Sequence, residues 1–212
     1  MPPTKTNIHI LDVGCGTGLI SADLQKLGEV HSLDQSAKAV LFCKKKGLQN
    51  TYQGNVCDLP FKANMFDLVV ALDVLEHIED DHLAIQEISR VLKNQGTFIC
   101  FVPAFPFLWT EQDSILKHWR RYTKTTLNNL FNTEWSCIKI GYFNSLLFPI
   151  IFTIRIFKKI LNIKSKKDEL EQMSSLNDML YYIFKSELAV LPRFGFPFGV
   201  SLMGVYRKHV KK

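Results

Sequence analysis

The chain has 212 residues, 47% of them hydrophobic and 22% charged, which suffices for one sizeable core and excludes a disordered or fibrous protein. The net charge of +6 is uneven: residues 1–104 hold 9 Lys and Arg against 12 Asp and Glu, whereas residues 105–212 hold 17 against 8. Five cysteines without a C-x-x-C pair exclude a disulfide framework and suggest no metal site, and the start Met1-Pro2-Pro3-Thr4-Lys5 lacks the apolar run of a signal peptide, so a cytoplasmic setting is expected.

In chain order, Ile8 to Val13 reads as a short apolar strand ending at a glycine cluster. A helix through Leu19, Ile20, Leu24 and Leu27 follows. Val30 to Asp34 is a second strand closed by an acid, and Ser36 is placed to cap a helix running to the lysines before Gly47. Phe66 to Leu72 is a near-continuous apolar run, as in a parallel strand buried on both faces. Residues 79–92 carry Ala84, Ile88, Val91 and Leu92 on one helical face, with acids in the first turn. Gly96 to Val102 is the next strand, stopped by Pro103. Further on come a helix from Thr123 to Phe131 and strands from Ile138 to Tyr142 and Ser201 to Tyr206. An apolar and basic helix spans about 145–163, a charged linker 164–169, and another helix lies near 176–190.

The alternation predicts an α/β fold: a Rossmann-like, doubly wound, mostly parallel seven-stranded sheet with helices on both faces and a helical insertion in the C-terminal half. Residues 1–212 are read as a single domain, with 8–105 as its cofactor-binding core and 106–212 as an acceptor-side region completing the sheet. Ligands in such sheets bind at the carboxyl ends of the strands.

The densest signal is Asp12-Val13-Gly14-Cys15-Gly16-Thr17-Gly18, where alternate glycines right after a strand allow a sharp turn and close approach to a ligand. A dinucleotide fingerprint would need a glycine at Leu19, and a phosphate loop would need a Gly-Lys-Ser/Thr ending. The loop therefore suits a nucleoside without a pyrophosphate. Asp34, at the end of the second strand, can accept from both hydroxyls of a ribose and repels a 2′-phosphate.

Asp12 to Gly18 resembles the first motif of class I S-adenosylmethionine-dependent methyltransferases, the type that includes ubiquinone and menaquinone biosynthesis enzymes. Gly54-Asn55-Val56-Cys57-Asp58-Leu59-Pro60-Phe61 resembles the family's G-D-A-x-x-L-P-F segment, and Phe66 to His77 its F-D-x-V…L-E-H segment. The resemblance implies S-adenosylmethionine as cofactor and no metal. It implies that Gly14, Cys15, Gly16 and Gly18 border the methionine and ribose, with Asp12 orienting the loop near the methionine amino group. Asp34 and its neighbour Gln35 would hold the ribose, Asn55 and Val56 the adenine edge, and the Leu72 carbonyl the ammonium. Asn55 stands where the family usually has Asp, but its carbonyl oxygen can still accept from the adenine amino group.

On the acceptor side, His77, Asp113 and His118 are candidate bases, and Arg120, Arg121 and Tyr122 candidate acceptor-binding groups, the arginines suiting a phosphate or carboxylate. The competing readings are a packing residue for His77 and salt bridges at the start of a helix for the arginines. Phe105, Phe107 and Trp109 could shield a sulfonium or simply pack. Arg155, Lys158, Lys159 and Asn162 share one face of an otherwise apolar helix, the pattern of a segment lying on an anionic membrane or of a core or dimer helix. The expected function is methyl transfer to a small-molecule, glycan or lipid-linked acceptor, in the cytoplasm with peripheral membrane contact. The alternatives are a nucleic-acid methyltransferase, against which stands the lack of an N/D-P-P-Y segment, and a non-catalytic cofactor-binding protein.

Overall fold

The computed structural model describes residues 8–146, 148, 149, 152, 153 and 196–209. The expected helices at about 145–163 and 176–190 and the linker at 164–169 lie largely or wholly outside these residues. Among the described residues no helix is long and apolar enough to cross a membrane.

Seven strands form one sheet: β1 (Ile8–Val13), β2 (Gly28–Asp34), β3 (Thr51–Gln53), β4 (Phe66–Leu72), β5 (Leu92–Pro103), β6 (Trp135–Phe143) and β7 (Ser201–Lys208). Their order is β3-β2-β1-β4-β5-β7-β6. The first five strands are parallel, and β7 runs antiparallel to both β5 and β6. The helices are α1 (Leu19–Leu24), α2 (Ala37–Lys45), α3 (Asp81–Val91), α4 (Glu111–Ile115) and α5 (Lys124–Asn128). Strand order reverses between β1 and β4. Because parallel crossovers are right-handed, that reversal sends the connections on either side of it to opposite faces and leaves a crevice beyond the ends of β1 and β4.

Three local details refine the sequence reading. Helix α3 is capped by Asp80, which accepts from the Leu83 amide at 2.9 Å, and buries Ala84, Ile85, Ile88 and Val91. It passes into β5 with no intervening loop, because Leu92 is fully buried and already pairs with Phe66. The strand therefore begins four residues before Gly96. The edge strand β3 is three residues of mostly polar sequence, too short for alternation to reveal. Helix α5 is capped by Thr123, whose side chain accepts from the Thr126 amide, and ends at Asn128, short of the expected Phe131, with turns in between.

The main core joins Phe66, Val69 and Ala71 of β4 to Phe98, Cys100 and Val102 of β5, with Ile88 and Val91 of α3 and Leu202 and Tyr206 of β7. Tyr206 stacks on Phe131, and its hydroxyl lies 2.9 Å from Asn128 Oδ1.

Candidate active site

The chain leaves β1 through the glycine loop. Gly14, Gly16 and Gly18 have φ of 70°, 51° and 74°, a region open to glycine and strained for other residues. The Gly14 and Cys15 amides both donate to the Leu33 carbonyl, at 2.7 and 3.0 Å, which ties the loop to β2. A Cβ at Gly14 would run into Val74, and one at Gly18 would meet Cys43 Sγ at 2.8 Å. A Cβ at Gly16 would meet nothing within 4 Å, so the loop turns that face to open space.

Beneath the loop Asp12 is 3% exposed and accepts from the Ser21 hydroxyl. Burial pushes its carboxyl up to about 6, against the opposing pull of the Ser21 hydrogen bond, and the nearby Asp34 charge pushes the same way as burial. Asp34 accepts from the Gly16 and Ser36 amides, one on each oxygen, both at 2.8 Å. Its carboxylate is thus aimed by two backbone donors and keeps lone pairs free for a diol.

Between these groups lies a cleft of about 570 Å³, lined by Gly14, Asp34, Gln35, Asn55, Val56 and His77 among the residues expected from sequence. Asp12, Cys15, Gly16, Gly18 and Leu72 are not among the cleft-lining residues. Asn55 Oδ1 accepts from the Cys57 amide at 3.0 Å, closing a local turn with one of its two lone pairs. The lining also includes Asp73, Val74 and Ile78, which the sequence reading did not single out. The legible signal for Asp73 was an acid directly after an apolar strand. Its φ of 53° places it in the left-handed region, and its amide donates to the Phe101 carbonyl at 2.9 Å.

A second cavity of about 480 Å³ is lined by Gln35, His77, Leu116, Lys117, His118 and Trp119. Gln35 and His77 belong to both spaces. His77 ends a tight turn over Leu75–His77 and packs edge-on against His118, ring centres 4.6 Å apart. Burial lowers its pKa and the neighbouring His118 lowers it further, against the pull of backbone contacts with Leu116 and Lys117, which favours the neutral ring. His118 Nδ1 lies 3.0 Å from Asp113 Oδ1.

Asp113, Arg120, Arg121 and Tyr122 line neither of these spaces. Asp113 is 2% exposed, accepts from the Thr110 amide and hydroxyl at the start of α4, and pairs with Arg121 at 2.7 Å. Burial alone would raise its carboxyl, but the hydrogen bonds from Arg121 and Thr110, with the Arg121 charge, hold it below the usual range. Arg121 also donates to the Ala104 carbonyl at 3.1 Å. Arg120 pairs with Asp81 at 2.7 Å, and the buried Tyr122 hydroxyl donates to the same Asp81 at 2.8 Å. These groups anchor the segment after β5 to the start of α3 and hold His118 against His77. Phe105 stacks on Tyr142 and Phe107, outside the cleft lining.

Residues 11–100 match the family model described as a methyltransferase domain. This stretch is a methyltransferase domain. The chain is 35% identical over 128 residues to the demethylmenaquinone methyltransferase of Lactiplantibacillus plantarum, an alignment covering 55% of this chain and 52% of that protein. It is 34% identical over 95 residues to the ubiquinone biosynthesis O-methyltransferase of Pelagibacter ubique, covering 42% of this chain and 40% of that protein. The chain thus spans about half the length of the curated relatives it matches. A solved S-adenosylmethionine-dependent methyltransferase from Mesorhizobium loti superposes with a TM-score of 0.66 at 15% identity, covering 97% of this chain and 93% of that one, and shows a common fold.

The methyltransferase domain accounts for the cleft from the residues upward. S-adenosylmethionine, the cofactor of this family, fits the donor set: a diol-accepting carboxylate at Asp34, open space over Gly16, and an acid at Asp73 in the cleft lining for a cationic ligand. Among the described residues, Glu76, His77 and His118 also bring three potential metal-ligand atoms within 4.8 Å of one another beside the cleft.

Proposed function

We propose that the protein is an S-adenosylmethionine-dependent methyltransferase whose acceptor is a hydroxyl-bearing small molecule, free or lipid-linked. The observation that carries this reading is His77, which lines both the cleft expected to hold the cofactor and the adjoining cavity. The names of the two curated relatives, both methyltransferases and one specified as an O-methyltransferase, support a small hydroxylated acceptor.

When bound, S-adenosylmethionine supplies a methyl group on a positively charged sulfur. Asp34, held by two amides, accepts from the ribose hydroxyls and fixes the cofactor along the cleft. The Asp12 carboxyl, raised by burial, would return toward its ordinary range as a cationic ligand arrives, drawing the ammonium end toward the loop. His77, neutral, accepts the proton from the acceptor hydroxyl as the methyl group passes to its oxygen. His118, steered by Asp113, fixes the face His77 presents. For a lipid-linked acceptor, the basic and apolar sequence of residues 145–163 would add attraction to an anionic bilayer.

Calorimetry with S-adenosylmethionine and with NAD tests the cofactor: binding is expected for the first alone. Asp34→Ala should weaken that binding by about 1–3 kcal/mol, the scale for hydrogen bonds to a charged group. His77→Asn should lower kcat with a hydroxylated quinol far more than it lowers cofactor affinity. NAD binding without S-adenosylmethionine binding would sink the reading.

A further inference from the structure

At the opposite ends of the strands from the cleft, β1 and β2 bring together three side chains that methyl transfer does not use. His9 on β1 pairs in register with Glu29 on β2, and His31 lies two residues along β2 on the same face. A ring nitrogen of His9, a Glu29 oxygen and a ring nitrogen of His31 lie within 4.8 Å of one another. We propose that His9, Glu29 and His31 form a binding site for a zinc-class divalent cation that clips the starts of β1 and β2 together. The site stands whether or not the chain transfers a methyl group.

The distances argue for it. His9 Nδ1 is 3.5 Å from Glu29 Oε2, and His31 Nε2 is 3.3 Å from Glu29 Oε1. Both are longer than the roughly 2.7–2.9 Å of a charge-assisted hydrogen bond. The two contacts fall on different oxygens of Glu29; with one atom taken from each residue, all three ligand atoms lie within 4.8 Å of one another, close enough to draw in to the roughly 3.3 Å spacing that arms of about 2.0–2.1 Å give around a tetrahedral ion. His9 Nδ1 is buried and has no hydrogen-bond partner, although it faces the carboxylate. A cation would give that lone pair its partner.

The surroundings hold the ligands in place. His31 stacks on Tyr52 with ring centres 5.8 Å apart and meets Phe66 edge-on at 5.5 Å, which fixes the ring's orientation. The His9 amide donates to Asp67 at 2.9 Å, and Asn50 Nδ2 donates to Glu29 Oε1 at 3.3 Å, so ligand backbone and ligand carboxylate are both steered. Two imidazoles and one carboxylate are a donor set suited to Zn2+, with Co2+ as its spectroscopic substitute. The Glu29 side chain is 51% exposed, which leaves water access to a fourth position.

The test uses the full chain carrying His77→Asn, which disables the ligand cluster beside the cleft. Zn2+ is titrated against a chromophoric chelator, and Co2+ is followed by its visible absorption. One Zn2+ per chain is expected, together with a tetrahedral Co2+ spectrum free of thiolate charge-transfer bands. Adding Glu29→Gln or His9→Asn should weaken Zn2+ binding by about 100-fold or more and abolish the rise in Tm that Zn2+ gives the parent. The side chains of His9 and Glu29 are 37% and 51% exposed, so these replacements leave the core intact. Equal Zn2+ affinity in all three proteins, a thiolate band in the Co2+ spectrum, or no Zn2+ binding by the folded parent would each overturn the proposal.

Discussion

The buried ion pair between Arg121 and Asp113 shows what the segment after β5 requires of single residues. The two side chains are 4% and 2% exposed, so removing one partner strands a charge. Arg121→Met should destabilise the protein by about 3–5 kcal/mol in chemical denaturation. Arg120→Ala should cost less, because its side chain is one-third exposed. A near-zero effect of Arg121→Met would release that residue for an acceptor-binding role. Glu76 gives a pH signature. It is 1% exposed, its Oε2 is buried without a hydrogen-bond partner, and burial raises its carboxyl to about 8, with the Asp73 charge adding to the rise. The unfolded chain releases this proton near pH 4.5 and the folded chain only near 8, so stability falls as pH climbs between the two. The full loss across that window is on the order of 5 kcal/mol. Denaturation at pH 6 and pH 9 should show the part of that decline above pH 6, roughly 3 kcal/mol, in the native sequence, and Glu76→Gln should flatten it.

At the scale of elements, the glycine loop separates folding from binding. Gly18→Ala would combine a left-handed backbone with a collision against Cys43 and Leu48, a loss of about 2 kcal/mol or more. Gly16→Ala meets open space, so it should cost only the conformational penalty of about 1 kcal/mol. Its methyl would instead intrude on the ligand and weaken S-adenosylmethionine binding by at least about tenfold, as read by calorimetry. The same loop explains why so much was legible in the sequence. Strand, glycines and Asp34 follow one another within a single βαβ unit, so local spacing carries their geometry. Leu92 as a strand start was not legible, because it joins β5 only through pairing with Phe66, distant in sequence. The meeting of His77 with His118 likewise depends on how the segment after β5 packs back on the turn after β4, whereas Arg121 and Asp113 find each other within that segment through its own irregular path. Periodicity reports which face is buried, and it is silent on which polar groups meet there.

For the molecule as a whole, charge and connectivity each have a consequence. The excess of Lys and Arg lies in residues 105–212, and Arg155, Lys158 and Lys159 sit there among bulky apolar residues. Vesicles containing anionic lipid should pellet the protein, less so as salt rises, and neutral vesicles should not. Lys158→Glu with Lys159→Glu should remove the preference while leaving S-adenosylmethionine binding unchanged. Connectivity acts earlier, during synthesis. Because β7 follows β6 in the chain but lies between β5 and β6 in the sheet, two strands have no neighbour on the facing side until residues 201–208 emerge from the ribosome. A nascent chain can complete the cofactor half from β1 to β5, yet it must hold β5 and β6 apart as unpaired edges for the time needed to translate more than fifty further residues. Chaperone dependence in the cell should therefore fall on this interval, when the glycine loop is already in place and the outer edge of β5 is still open.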